Sequence, residues 1–237
     1  MRKLLASLFM LLLPVAAQAE DVAITLPSGE KIAYARYPGA GKDLLLWFAS
    51  ERGLGPEEIR AARNLAAQGT EVWQFDMVAA LFLPQTNSSM DGISARDMQA
   101  IFDAARKTGH TIAVYAVNRA AVPVLRGLAG KHKQRTQVLL MHPHFYSSVD
   151  TLVGADYLSF GNLTGVDALI LQPRQSAATP WVGDQLAALR RQGAKAQLLM
   201  LERVRERYWV RDSATEYEIA EGKRLAASIT EWRKYFK

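Results

Sequence analysis

Cysteine is absent from all 237 residues, so the chain forms no disulfide, does no thiol chemistry and carries no lipid-modified cysteine. Glycine and proline are sparse, at 16 and 9 residues, which excludes collagen-like and low-complexity classes. No repeat with a period of roughly 20–50 residues is present, excluding solenoids and propellers. Beyond the first 20 residues no segment is apolar enough to span a bilayer. Nor is there a dense basic run apart from Lys131-His132-Lys133-Gln134-Arg135, which reads as a solvated helix-to-strand turn. Two of the 29 basic residues, Arg2 and Lys3, lie at the very start, and the rest are scattered, so no nucleic-acid footprint is expected. What is present is ordinary: 49% hydrophobic and 22% charged residues, enough for one domain. A chain of this size buries roughly 70% of its unfolded surface without staples.

The first 20 residues have the pattern of an export signal. Arg2 and Lys3 make a basic start, Leu4 to Val15 is almost wholly apolar, and Ala17-Gln18-Ala19 supplies the small residues of a cleavage site. The competing reading, a membrane anchor, needs roughly 20 apolar residues, more than this run supplies. The expectation is a leader over residues 1–19, a single domain over 20–237, a bacterial periplasmic location and no membrane attachment after cleavage.

Val22 to Leu26 and Ile32 to Tyr37 alternate around Pro27-Ser28-Gly29-Glu30, a hairpin pattern. Leu44-Leu45-Leu46-Trp47-Phe48 is continuously apolar, as in a strand covered on both faces. Gly55-Pro56 opens a helix with Ile59, Ala62 and Ala66 on one side, and Gly69 closes it before a strand at Val72 to Phe75. Ser94-Ala95-Arg96-Asp97 starts a helix carrying Met98, Ile101, Phe102 and Ala105, and Gly109 ends it. Further strands are expected at Thr111 to Tyr115, Gln137 to Met141, Ala168 to Leu171 and Gln197 to Leu201. Helices are expected up to about Ala129, from Thr179-Pro180 to Gly193, and as one long closing helix from near Ser213-Ala214-Thr215-Glu216. That last helix sets Leu225, Ile229, Trp232 and Phe236 on one stripe. Residues 143–164 show no periodicity. The alternation predicts an α/β fold: a mainly parallel, doubly wound sheet with an N-terminal antiparallel hairpin.

The order of hairpin, apolar strand and helix, a strand ending in Asp76, a long helix, and a strand–sharp turn–helix at Tyr115 to Val122 resembles the α/β-hydrolase fold over essentially the whole mature chain. A plainer doubly wound fold is the alternative. The resemblance implies a nucleophile in Gly-x-Ser-x-Gly on a strained turn. The matching stretch is Ala116-Val117-Asn118-Arg119-Ala120, with Asn118 at the serine's place and alanines at both glycines. An amide is a poor nucleophile, and alanine adopts a positive φ at greater cost than glycine. Ala49-Ser50-Glu51-Arg52-Gly53 stands where the oxyanion-hole His-Gly is implied. The implied acid maps near Pro173-Arg174-Gln175-Ser176, and the implied histidine falls within Glu202 to Tyr208, where neither occurs. The resemblance therefore implies a degenerate member, inactive as a Ser-His-Asp hydrolase. Trp47 to Leu54, Met141-His142-Pro143-His144 and Leu171-Gln172-Pro173-Arg174 are also similar to hydrolase-like segments of exported bacterial proteins. Those segments lie beside thioredoxin-like disulfide reductases, which implies a periplasmic thioredoxin-like protein as one partner.

Ligands of open α/β sheets bind beyond the carboxyl ends of the strands. Those ends gather Ser50, Glu51, Arg52, Asp76, Asn118, Arg119, His142, His144, Arg174, Ser176, Arg203, Arg205 and Arg207. One reading makes the arginines an anion-binding crevice in which Ser50, Arg52, Arg119, His142, His144, Arg174 and Ser176 meet a small anionic ligand. The other pairs them with Glu51, Asp76, Glu202 and Glu206 in a solvated ion network. His142 is a general base or a hydrogen-bonded structural histidine; Asp76 is an acid–base group or a cap. His142 and His144 are expected to point apart around Pro143, and His110 and His132 sit at distant turns, so neither a metal nor a cofactor is expected. The loops Phe82-Leu83-Pro84 and Phe145-Tyr146 either form a recognition surface or cover the sheet end.

These observations favour a non-catalytic hydrolase-like protein that binds a small ligand or a protein partner. The alternative is a hydrolase with an unorthodox site, His142 or Asp76 activating water and arginines steadying an anionic substrate. A third reading is an assembly role through the aromatic loops. Processing at the leader is checked by N-terminal sequencing of protein from a periplasmic extract: it should begin near Glu20, and a start at Met1 removes the export reading.

Overall fold

The computed structural model describes residues 19–130, 135–150 and 154–236. The leader up to residue 18 and residues 131–134 of the basic run lie outside the described residues. Strands β1 (Glu20–Thr25), β2 (Lys31–Tyr37), β3 (Asp43–Phe48), β4 (Glu71–Phe75), β5 (Thr111–Val117), β6 (Thr136–Met141), β9 (Val166–Pro173) and β10 (Lys195–Leu201) form one sheet in the order β1-β2-β4-β3-β5-β6-β9-β10. The β1–β2 and β2–β4 pairs are antiparallel; every other pair, from β4–β3 to β9–β10, is parallel. The predicted mainly parallel sheet with an antiparallel N-terminal hairpin is what the chain adopts. Between the strands run α1 (Pro56–Ala67), α2 (Met77–Ala80), α3 (Asn87–Gly92), α4 (Ala95–Arg106), α5 (Ala121–Gly127) and α6 (Val182–Arg191). Helices α7 (Glu216–Lys223) and α8 (Leu225–Trp232) close the chain.

The unbroken apolar run in β3 has a direct cause. Leu44, Leu46 and Phe48 enter one core with Met98, Phe102 and Leu125. Leu45 and Trp47 point the other way, into a core with Leu65, Leu225, Ile229 and Trp232. Each face of the sheet is thus covered by helices, and period-two alternation sorts a continuous run between two cores. Register carries this into side-chain contact: Trp47 pairs with Tyr115 across β3 and β5, and their rings meet edge-on at 4.7 Å. Gly127 lets α5 approach α4, since a Cβ there would lie 2.4 Å from Met98 Cβ.

Two expectations change. Residues 143–164 contain a two-stranded antiparallel hairpin, β7 (Tyr146–Asp150) with β8 (Gly154–Tyr157), whose mostly exposed strands need no apolar alternation. The long closing helix is two, divided at Arg224, and starts later than Ser213. Its capping box uses Thr215 and Glu218: Glu218 is fully buried and also accepts the Arg205 backbone N–H at 2.9 Å. That buried carboxylate, rather than the exposed Glu216, sets where the helix begins.

A second buried carboxylate lies under the sheet edge. Glu58 accepts the Gly55 N–H at 2.7 Å, is 2% exposed, and is pushed up to about 7, mainly by burial and against the pull of that N–H. A carboxyl raised above its model value of 4.5 binds more protons folded than unfolded between the two values. Stability from this group is therefore full below about 4.5 and declines as pH rises towards 7. Glu58→Gln should remove that part of the slope and stabilise the protein by on the order of 1–3 kcal/mol at pH 8, with little change at pH 4.5. Urea unfolding at both pH values measures this, and equal slopes for the two proteins would refute it.

Candidate active site

The parallel strands all deliver their carboxyl ends to one edge, and strain collects there. Among the described residues, the non-glycine positions with left-handed φ are Phe82, Asn118, His142, Arg203 and Arg207. They follow β4, β5, β6 and β10 respectively, the last two both after β10. Such conformations cost roughly 1–3 kcal/mol each and persist where surrounding structure enforces them, often at active sites.

Asn118 occupies the sharp turn from β5 into a 3-10 turn and α5, with φ 55°. Asparagine tolerates this region better than most residues. The alanines at 116 and 120 escape the cost expected of them, because neither has a positive φ. Asn118 is 7% exposed and donates from Nδ2 to Glu51 Oε1 at 2.9 Å, while its Oδ1 and Glu51 Oε2 are buried without hydrogen-bond partners. Ser50 is committed to its own turn, accepting the Arg52 N–H on Oγ at 3.2 Å. Gly53, at φ 79°, lets that turn close on Asp76, since a Cβ would stand 2.6 Å from Asp76 Oδ2.

His142 and His144 were expected to point apart. They come together, with ring centroids 6.2 Å apart. Residues two apart share a face even on an extended chain, so the expectation misjudged the period; the left-handed φ of 36° at His142 turns the chain out of the strand direction besides. The segment is tied at each residue: His142 N–H to Leu171 O at 2.8 Å, Pro143 O to Gln185 Nε2 at 3.0 Å, and His144 N–H to Asn118 O at 3.3 Å. His142 is 1% exposed, and neither ring nitrogen meets a hydrogen-bond partner among the described residues. Burial lowers its pKa and keeps the ring neutral.

Glu206 reaches the same place from the loop after β10. Its Oε1 lies 3.7 Å from His144 Nε2, beyond hydrogen-bond length, and accepts the Ser176 hydroxyl. His144, followed by burial acting in the opposite sense and then Ser176, leaves Glu206 below the usual carboxylate range, so it is ionised. Imidazoles therefore come from the strand before the implied acid position, and a carboxylate from the loop where a histidine was implied. The order along the chain is the reverse of acid-then-histidine. Among the described residues, His142, His144 and Glu206 are also the one group whose side chains could together hold a metal ion, against the expectation of none. Sequence reasoning cast Glu206 only as a partner for arginines, and placed Glu51 at a strand end without making it one of the ligand-contacting residues.

The arginine crevice is largely spent on other contacts. Arg119 makes a bidentate pair with Asp91 at 2.7 and 2.6 Å and donates to Tyr146 O at 2.8 Å, clamping the loop after β6. Arg174 pairs with Glu202 on the surface, Arg205 with buried Glu218, and Arg203 covers the Tyr217 ring at 4.3 Å. Arg52 keeps a mostly exposed side chain, 3.8 Å from Glu51. Asp76 takes the capping role, accepting the Ala79 N–H at 2.9 Å. Of the aromatic loops, Phe145 is fully buried and covers the sheet end, whereas Phe82 is 96% exposed.

No known protein-family profile matches this chain, and no curated protein does. Solved structures do. A hyperthermophilic esterase from the archaeon Pyrobaculum calidifontis is 14% identical with a TM-score of 0.62, covering 93% of this chain and 85% of that one. A dienelactone hydrolase-like promiscuous phosphotriesterase from metagenomic libraries is 13% identical with a TM-score of 0.63, covering 90% and 98%. A mutant of an α/β-hydrolase enzyme from the metagenome of Lake Arreo, Spain, is 15% identical with a TM-score of 0.58, covering 90% and 82%. The first reading, a non-catalytic binding protein, is corrected by these likenesses, because these structures with the same architecture are those of hydrolases. At such low identity what they establish is the architecture: this chain has an α/β-hydrolase-like fold.

Proposed function

We propose that the protein is a hydrolase of ester-type bonds that attacks with activated water rather than with a side-chain hydroxyl. The observation that carries this is the meeting of two imidazoles and an ionised carboxylate, His142, His144 and Glu206, beside the strained Asn118 turn. The fold's neighbours, which include an esterase and a phosphotriesterase, support the reaction class.

Asn118 supplies no nucleophile, and the Ser176 hydroxyl donates to Glu206 instead of to an imidazole, so neither is set up for covalent attack. Water is the remaining nucleophile. Of the two histidines, His142 is sealed and held neutral, whereas the His144 side chain is 15% exposed, at the mouth of the site. Glu206, ionised and 3.7 Å from His144 Nε2, stabilises by its charge the imidazolium that forms when His144 accepts a proton, part of what a carboxylate does beside a catalytic histidine. Asp76, bound into its cap, leaves the carboxylate role to Glu206, and the mostly exposed Arg52, 3.8 Å from Glu51, is placed to meet an anionic group. Export through the N-terminal leader belongs to the same proposal.

Purified protein assayed on p-nitrophenyl esters and an aryl phosphotriester should turn over at least one of them above the buffer rate. General acid–base contributions are typically 100- to 10,000-fold, so His144→Ala and Glu206→Gln should each lose about 100-fold or more. Ser176→Ala should stay within about tenfold, and a fluorophosphonate should leave no adduct. Turnover that survives both His144→Ala and Glu206→Gln, or a labelled serine, would overturn the water mechanism; no turnover on any substrate by folded protein would overturn the hydrolase.

A further inference from the structure

We propose that His142, His144 and Glu206 form a binding site for a divalent transition-metal ion, with zinc the expected occupant. Their ligand atoms all lie within 4.8 Å of one another. Around tetrahedral zinc, with bonds of roughly 2.0–2.2 Å, ligand atoms stand about 3.3 Å apart. His144 Nε2 and Glu206 Oε1, at 3.7 Å, are already near that separation. Two imidazoles and one carboxylate suit zinc and its neighbours, whereas calcium and magnesium prefer all-oxygen sites.

An independent observation points to a ligand. His142 is 1% exposed, yet both its ring nitrogens lack a hydrogen-bond partner, and His144 Nε2 is buried without one too. A buried polar group left unpaired costs about 1–3 kcal/mol, and native structures seldom tolerate it without a reason. Coordination to a cation would satisfy one ring nitrogen of each histidine. The neighbouring structure also holds the ligands in place as metal sites require. Backbone bonds pin His142 to Leu171 and His144 to Asn118, and the Ser176 hydroxyl steadies the carboxylate. Gln185 Nε2, donating to Pro143 O at 3.0 Å, fixes the residue between the histidines.

Three protein ligands leave a coordination position open, the arrangement of catalytic rather than structural zinc. Any part the ion plays in hydrolysis rests on the proposed function; its binding does not.

Untagged full-length protein, stripped with a chelator and dialysed, is titrated calorimetrically with zinc chloride and, separately, with cobalt chloride while visible absorption is recorded. The expected result is one equivalent of zinc per chain and cobalt d–d bands of a low-coordinate site. Both should be weakened at least about 100-fold in His144→Ala and in the near-isosteric Glu206→Gln, whose folding is confirmed by circular dichroism. His110→Ala, away from the cluster, should bind as the wild type does. Absence of binding at 100-fold molar excess of zinc, or binding unchanged in both ligand variants, would overturn the site. Stoichiometric binding lost in those variants but without ester turnover upholds the site and removes the hydrolase reading. Turnover by protein that binds no zinc removes the site and leaves the hydrolase.

Discussion

At the end of β6 three successive residues of the chain are each held by a hydrogen bond with another element. The His142 N–H continues the parallel ladder by bonding to Leu171 O, yet its φ of 36° turns the next residues out of the strand direction. Gln185 and Asn118 then grip Pro143 and His144, and the Arg119 guanidinium, itself locked to Asp91, holds the carbonyl of Tyr146. Residues two apart share a face of an extended strand, and at this turn the His142 and His144 rings stay together, their centroids 6.2 Å apart and their nitrogens within reach of Glu206.

Charge at the edge is organised around the same turn. A row of arginines could have made the crevice a general anion trap, but most of them are consumed in pairs that brace loops: Arg119 with Asp91, Arg205 with Glu218, Arg174 with Glu202. The bidentate, largely buried Arg119 pair is the kind that fixes geometry, whereas the exposed Arg174 pair contributes little. What is left in the crevice is a small group of polar atoms with few partners: Glu51, Asn118, His142 and His144. Fold and chemistry are separable here. The sheet and its helices resemble those of an esterase and a phosphotriesterase, and a shared fold does not carry the chemistry of the groups at the strand ends.

How much could be read in advance depended on the range of the interaction involved. The strand at Leu44–Phe48, the cap at Ser94–Asp97 and the turn at Gly69 follow from neighbours in the chain, and the structure has them where local chemistry places them. The Asn118 turn was legible as well, since strand–turn–helix spacing marks it. The late start of the last helix pair was not, because Glu218 answers to Arg205, 13 residues earlier, as well as to Thr215. Likewise β7 and β8 carry mostly exposed residues, so no hydrophobic period announced them.

The sequence by itself determined the α/β layering, the doubly covered sheet and the edge on which the polar residues collect. These depend on apolar period, capping residues and the right-handedness of crossovers, all local or generic. Only the tertiary structure decided which of those polar residues meet. Glu206 joins His144 across 62 positions of chain, Asn118 meets Glu51 across 67, and a left-handed residue at His142 turns the chain where they converge. No periodicity encodes such convergence: it is set by where strand ends fall once the sheet has formed, and by a backbone angle that local propensity disfavours.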